Sequence, residues 1–259
     1  MVRRFFSQAL LFYKGRTAAF SLVEFLCFDT FYPLVTMAFY CLLAAHSFRT
    51  TDLTRWVVGN AFLLCTNACV FTLGGVFLGE RYNGRLRSLL AAPCSKLSVI
   101  LAGGVFPALL AAATVAVGFL LGGLVFSVDF RGPSWLHTAL AILAAMAAAG
   151  AFGLFIATFG MVSDSMHLIL NVVSYLLMIF TGAEFPRTQL PVLGRWFGSL
   201  LPLTHAIAAM EKLWRGAYGA FWHLLLLELL VAAAYSLAAW AVFRTVERLA
   251  RKRGTFDQF

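Results

Sequence analysis

The sequence predicts an all-α integral membrane protein of six transmembrane helices, with an amphipathic N-terminal helix in the membrane interface and a re-entrant helical hairpin on the outer side. Three observations predict this. Of 259 residues, 61% are hydrophobic and only 12% charged, against about half and about a quarter in an average soluble domain. Six apolar runs, at 22–45, 56–79, 97–127, 135–161, 166–183 and 220–243, match the roughly 20 residues a helix needs to cross a bilayer. The basic residues that flank those runs are distributed unevenly between the two sides.

Residues 1–20 come before the first run. Phe5, Phe6, Leu10, Leu11 and Tyr13 alternate there with Arg3, Arg4, Lys14 and Arg16. Apolar residues at helical spacing, rimmed by cations, predict a helix lying in the interface plane. No small-residue cleavage site follows, so a cleavable signal peptide is not expected. With the N-terminus inside, thirteen Lys and Arg fall on the cytoplasmic side and seven outside. The positive-inside bias therefore places both termini in the cytoplasm. The region 182–219 is too long for a simple turn. It carries Trp196, Phe197, Leu200 and Leu201 among Arg187, Arg195 and Ser199, and is broken by Pro186, Pro191 and Pro202. Each proline removes a backbone donor and disfavours helix in the residue before it. Two short helices forming a re-entrant hairpin are expected, sheltered by protein or a watery cavity. The whole chain, 1–259, reads as one membrane domain.

Several function classes find no support. No Gly-x-x-x-x-Gly-Lys-Ser/Thr occurs, so ATP-driven work would need a separate ATPase polypeptide. No nucleophile–base constellation is legible, no catalytic residue is assigned, and the chain itself is not expected to be an enzyme. The five histidines are scattered at run ends and in loops. Cys65 and Cys69 share a helical face, but no His or carboxylate lies near them in sequence, so they read as packing thiols and no metal site is expected. The net charge of +9 flanks membrane spans instead of forming one patch, which argues against nucleic acid as a partner.

Between the second and third runs lies a polar, basic insert, Gly79-Glu-Arg-Tyr-Asn-Gly-Arg-Leu-Arg-Ser-Leu-Leu-Ala-Ala-Pro93. Leu86, Leu89 and Leu90 recur at i, i+3, i+4, an apolar stripe able to dock into a groove, with Arg81, Arg85 and Arg87 at its rim. Glu80-Arg81-x-x-Gly84-x-Leu86-x-x-Leu89-x-x-x-Pro93 resembles the cytoplasmic coupling helix of ABC-2 type transporter permeases. The chain departs from that pattern at Arg85-Leu86-Arg87, where members often carry Thr-Leu-Glu. A second stretch, Phe180-Thr-Gly-Ala-Glu-Phe-Pro-Arg-Thr-Gln-Leu-Pro191, followed by Leu201-Pro-Leu-Thr-His205, looks like the family signature after the fifth span. Gly182, Pro186, Pro191, Pro202 and Thr204 carry that match.

The resemblance spans essentially the whole chain and implies a type V ABC exporter-like fold, with a coupling helix over 80–95. It implies that Glu80, Arg81, Gly84, Arg85, Leu86, Leu89, Leu90 and Pro93 dock on an ATPase. It also implies two copies of that ATPase, which would hold ATP and Mg, and a second permease subunit, expected to be identical. The expected setting is a bacterial plasma membrane, with lipid as a further partner. The implied substrate is amphipathic, a drug-like natural product or a lipid. Alternatives are a lipid-linked polysaccharide and, from another class, an ATP-independent channel or secondary carrier.

Carboxylates within apolar runs are costly and mark functional candidates. Gly182, Glu184, Pro186, Pro191, Pro202 and Glu228 are assigned to an outer gate. Glu24, Phe28, Asp29 and Tyr32 are assigned to a possible substrate path. Snorkelling or a structural ion pair stays open for Glu24 and Asp29, and lipid contact for the aromatics. Gly118 and Gly122 in the third run, and Ala145, Ala149 and Gly153 in the fourth, predict close helix packing.

Overall fold

A computed structural model of the chain describes residues 6–7, 9–11, 14, 31–82, 84, 96–126, 128, 134–160 and 165–253. Among the described residues every regular element is helical. Helix α1 is Tyr32–Phe48 and α2 is Thr54–Cys65. The latter runs on through a π-helical turn (Thr66–Phe71) and a last turn (Thr72–Gly74). Next come α3 (Val76–Tyr82), α4 (Lys96–Phe126), α5 (Trp135–Phe159) and α6 (Met166–Phe180). A 3₁₀ turn (Arg187–Gln189) leads to α7 (Val192–Leu200), α8 (Thr204–Trp214) and the long α9 (Tyr218–Arg253).

In each of the six apolar runs most of the described residues are helical. Thr54–Gly74, Trp135–Phe159 and Tyr218–Thr245 are long and apolar enough to cross a membrane. Tyr32–Phe48, Ala111–Phe126 and Met166–Phe180 are shorter apolar stretches. The first run shares residues 32–45 with α1, and its start, 22–30, lies outside the described residues. In the N-terminal segment, Phe6, Leu10 and Leu11 are helical and exposed, whereas Ala9 is buried.

Helix α9 lies along α5 and also packs on α8, while α2 packs against α4, α1 and the middle of α5. Small residues make these approaches possible, as the sequence predicts. Gly118 of α4 faces Leu64, Met37 and Ala61. A Cβ added to Gly122 would collide with Val57. Ala145 and Ala149 of α5 are fully buried. A Cβ on Gly153 would stand 2.5 Å from the Cys69 carbonyl oxygen, inside the π-helical turn of α2. Backbone therefore meets backbone where α5 crosses α2, and no larger residue fits there.

Aromatic residues bracket α9. At its start, Tyr218, Phe221 and Trp222 each meet the His137 ring edge to face at centroid distances of 5.5, 5.3 and 5.5 Å. Near its other end, Arg244 sits 4.5 Å from the Trp240 ring centre. Eighteen residues of helix separate Trp222 from Trp240, a rise of about 27 Å. That is close to the roughly 30 Å of a bilayer hydrocarbon core, whose edges tryptophan and tyrosine favour.

Candidate functional site

The first turns of α2 hold the loop after α6. Arg55 Nη2 donates to the Gly182 carbonyl at 3.2 Å, and Trp56 Nε1 donates to the Glu184 carbonyl at 3.0 Å. Between these bonds Gly59 lies against Ala183, where an added Cβ would stand 2.6 Å from Cα. Arg55 Nε is also 3.1 Å from Glu211 Oε1 of α8, an ion pair by distance without hydrogen-bond alignment. Gly182 takes a left-handed φ of 91°, which glycine adopts without steric cost. One cation of α2 thus ties both the loop and α8 to the same helix end.

Pro202 separates α7 from α8, and this break leaves backbone groups unpaired by either helix. Side chains take them up. Thr204 Oγ1 donates to the Gly198 carbonyl at 2.7 Å, and Tyr235 of α9 donates to the Leu200 carbonyl at 3.1 Å. His205 Nε2 lies 3.0 Å from the Ser199 carbonyl, an acceptor, so that nitrogen carries the proton. Burial draws the His205 imidazole below its ordinary range, partly opposed by the Ser199 bond, so the ring is neutral at pH 7.

The start of α8 has no capping side chain of its own, because its N-cap is Leu203, at φ 72°. Glu228, from two and a half turns into α9, supplies the cap. Its Oε1 accepts from Leu203 N at 2.6 Å, and Oε2 accepts from His205 N at 3.0 Å and Ala206 N at 3.2 Å. The side chain is fully buried. A carboxylate at a helix N-terminus also meets the positive end of the helix dipole. The α7–α8 segment and α9 are therefore joined by a clamp of three backbone donors on one carboxyl group.

Glu184, beyond the last turn of α6, has the opposite environment. It is 7% exposed, and its Oε1 is buried with no hydrogen-bond partner. Burial pushes its carboxyl up to about 7, with the Asn60 amide opposing that rise. Asn60 is itself buried and donates to the Trp56 carbonyl at 2.9 Å.

The prolines assigned in sequence to an outer gate lie along the segment from Gly182 to Pro202. Pro191 is the exposed N-cap of α7, Pro202 is buried at the α7–α8 bend, and Pro186 is half-buried before the 3₁₀ turn. Arg187 Nη2 donates to the Arg195 carbonyl at 3.1 Å and so closes the small loop. The hairpin region does contain two short helices, α7 and α8. Arg55 and Glu211, 156 positions apart, escape sequence reasoning, as do the backbone donors that face Glu228. The available signals for the ion pair were Glu211, an acid among the basic residues of 182–219, and Arg55, a cation just before the second apolar run.

Of the docking residues, Glu80 and Arg81 lie on α3, and Gly84 follows it with a left-handed φ of 66°. Arg85, Leu86, Leu89, Leu90 and Pro93 lie outside the described residues, as do Glu24, Phe28 and Asp29. Tyr32 opens α1 with its ring exposed. Cys41 and Cys69 are buried free thiols.

No curated protein matches the chain. The family model of the ABC-2 type transporter matches residues 27–214, well over half of the sequence, from the first apolar run to the end of α8. The apolar helices, the small-residue crossings and this match agree: the chain belongs to the ABC-2 type transporter family and is a membrane permease of an ABC-type transporter.

Proposed function

We propose that this chain is the transmembrane subunit of an ATP-driven exporter that moves an amphipathic molecule out of the cytoplasm or the inner leaflet. A drug-like natural product or a lipid fits the apolar and aromatic character of its helices. The observation that carries this reading is the polar insert Glu80–Pro93, which lies within the matched span and interrupts two apolar runs. In this reading six helices cross a bacterial plasma membrane with both termini inside. The insert is the coupling helix, and residues 182–219 form the re-entrant outer hairpin. The chain carries no ATPase motif of its own, so ATP and Mg belong to a separate ATPase, present in two copies. Six spans are too few to enclose an alternating-access path, so a second, identical permease subunit completes it. Closure of the ATPases would favour one permease state only through contacts that differ between the two states.

The test is Leu89→Asp. A charge in the middle of the docking stripe forfeits the burial of one leucine, about 2–5 kcal/mol in a packed core. The expected result is loss of ATPase co-purification from mild detergent, or of substrate-stimulated hydrolysis, by a permease that still elutes as a folded species. Undiminished co-purification and hydrolysis would reduce the insert to a solvated loop and remove the ATP-driven reading.

Topology has its own check. Cys94 should react with membrane-impermeant thiol reagents only from the cytoplasmic side, and a cysteine placed at Ser47 only from outside. The permease without its ATPase serves as the control, because docking would shield Cys94. Reaction of Cys94 in intact cells would overturn the six-span arrangement.

A further inference from the structure

We propose that Glu184, together with the tyrosines of α1 and α6, forms a subsite for the ammonium group of an amphipathic amine. This deepens the permease reading above and rests on it. Four observations support it.

The first is the state of the carboxylate. Its Oε1 is buried and has no partner among the described residues. Holding a carboxyl group with one bare oxygen away from water is costly, and a cation that arrives from outside the chain reduces that cost. The second is that no arginine meets this oxygen. Arg55 Nη2 serves the Gly182 carbonyl with Nε beside Glu211, and Arg187 Nη2 serves the Arg195 carbonyl while its Nε is buried without a partner. The third is rigidity. The backbone on either side of Glu184 is fixed by Arg55 and Trp56, and Ala183 lies flush on Gly59, so the carboxylate is held in place. Such pre-fixed groups bind without a large ordering penalty.

The fourth concerns the approach. Tyr40 of α1 lies within electrostatic reach of Glu184, and also of Tyr32 and Tyr175. Tyr32, Thr36 and Tyr40 follow one another at i, i+4, i+8 along one face of α1. The Tyr32 and Tyr175 rings are exposed, on α1 and α6 respectively. Aromatic faces attract organic cations, and one carboxylate then fixes the charged end. A divalent metal ion is a poorer fit, because no cluster of three or more His, Cys, Asp or Glu occurs among the described residues. An anion would be repelled. The carboxylate is covered in this conformation, so entry of an ammonium group requires the side chains packed over it to shift.

The experiment uses the full chain in phosphatidylcholine nanodiscs without any ATPase, so its outcome is independent of the Leu89→Asp result. The probe is dansylcadaverine, a fluorescent primary amine, compared with its N-acetylated, uncharged analogue. The wild-type chain should bind the amine about tenfold more tightly than the analogue, the scale of one charge-assisted contact. Glu184→Gln should abolish that preference while leaving the affinity for the analogue unchanged. Equal affinity of the wild type for both probes would overturn the proposal with no variant needed. So would a Glu184→Gln chain that weakens both probes alike, since that marks a structural role. Replacing phosphatidylcholine with phosphatidylethanolamine separates two sources of the same chemistry. A fall in probe affinity identifies a lipid headgroup amine as the competitor, and no change reserves the site for a soluble amine.

Discussion

Glu228→Ala is expected to detach the start of α8 from α9. Three backbone N–H groups, those of Leu203, His205 and Ala206, lose their acceptor at once. A buried donor left without a partner costs about 1–3 kcal/mol, so the combined loss exceeds about 3 kcal/mol if no group relaxes. Leu203 is held in a left-handed conformation that a branched apolar residue does not favour, and the clamp is what holds it there. Hydrogen exchange should register the change locally. Protection at these three amides should fall by about a hundredfold or more, each tenfold corresponding to about 1.4 kcal/mol. Glu228→Gln should fall between alanine and the wild type, because one oxygen remains and the new NH₂ faces a donor. Unaltered protection in both variants would mean that the carboxylate does not hold the start of α8.

The second large effect is expected at Gly59. A methyl group there meets the Cα and carbonyl of Ala183 at 2.6 and 2.8 Å, and backbone cannot step aside as a side-chain tip can. Gly59→Ala must lift the 182–184 loop off α2. That stretches the Arg55 and Trp56 bonds to Gly182 and Glu184 together. Overpacking alone costs about 1–3 kcal/mol, and each of the two bonds adds about 1 kcal/mol or more. Gly79 is the natural control, since an added Cβ there meets nothing within 4 Å. Thermal unfolding in detergent should show a clear loss for Gly59→Ala and none for Gly79→Ala. Equal melting of the two variants would show that the loop has other room to move.

The sequence made the helices legible, because a bilayer demands long apolar runs and little else produces them. Both ends of α4, α5 and α6 and the start of α9 fall within a few residues of the predicted runs, whereas α9 continues past its run to Arg253. The two short hairpin helices were announced by Pro191 and Pro202, whose rings fix where a helix begins and stops. The glycines that face Leu64 and Val57 were readable as small residues at helical spacing. Other features left no trace in the pattern. Glu228 is visible as a costly carboxylate, but its partners are backbone amides some 22 to 25 positions away, and an amide has no residue identity. Glu184 and Glu228 look alike in sequence, one acid just past an apolar run and one about two turns inside the next. Folding gives one three donors and leaves the other with a bare oxygen. The π-helical turn Thr66–Phe71 has no proline or glycine to signal it.

That turn has a rotational consequence. An α-helix advances its side chains by about 100° per residue, and a π-helical turn accommodates one residue more than a regular turn. The two halves of the span Thr54–Gly74 are therefore indexed separately, like two dials on one shaft. Deleting a single residue between Thr66 and Phe71 would let the helix relax to a regular one while the N-terminal half stayed fixed by Arg55, Trp56 and Gly59. Everything that follows the deletion, including α3 and the polar insert after it, would then turn by about a quarter of a circle. Length, composition and the membrane-crossing pattern would be almost unchanged by such a deletion. The direction in which the insert points would not be.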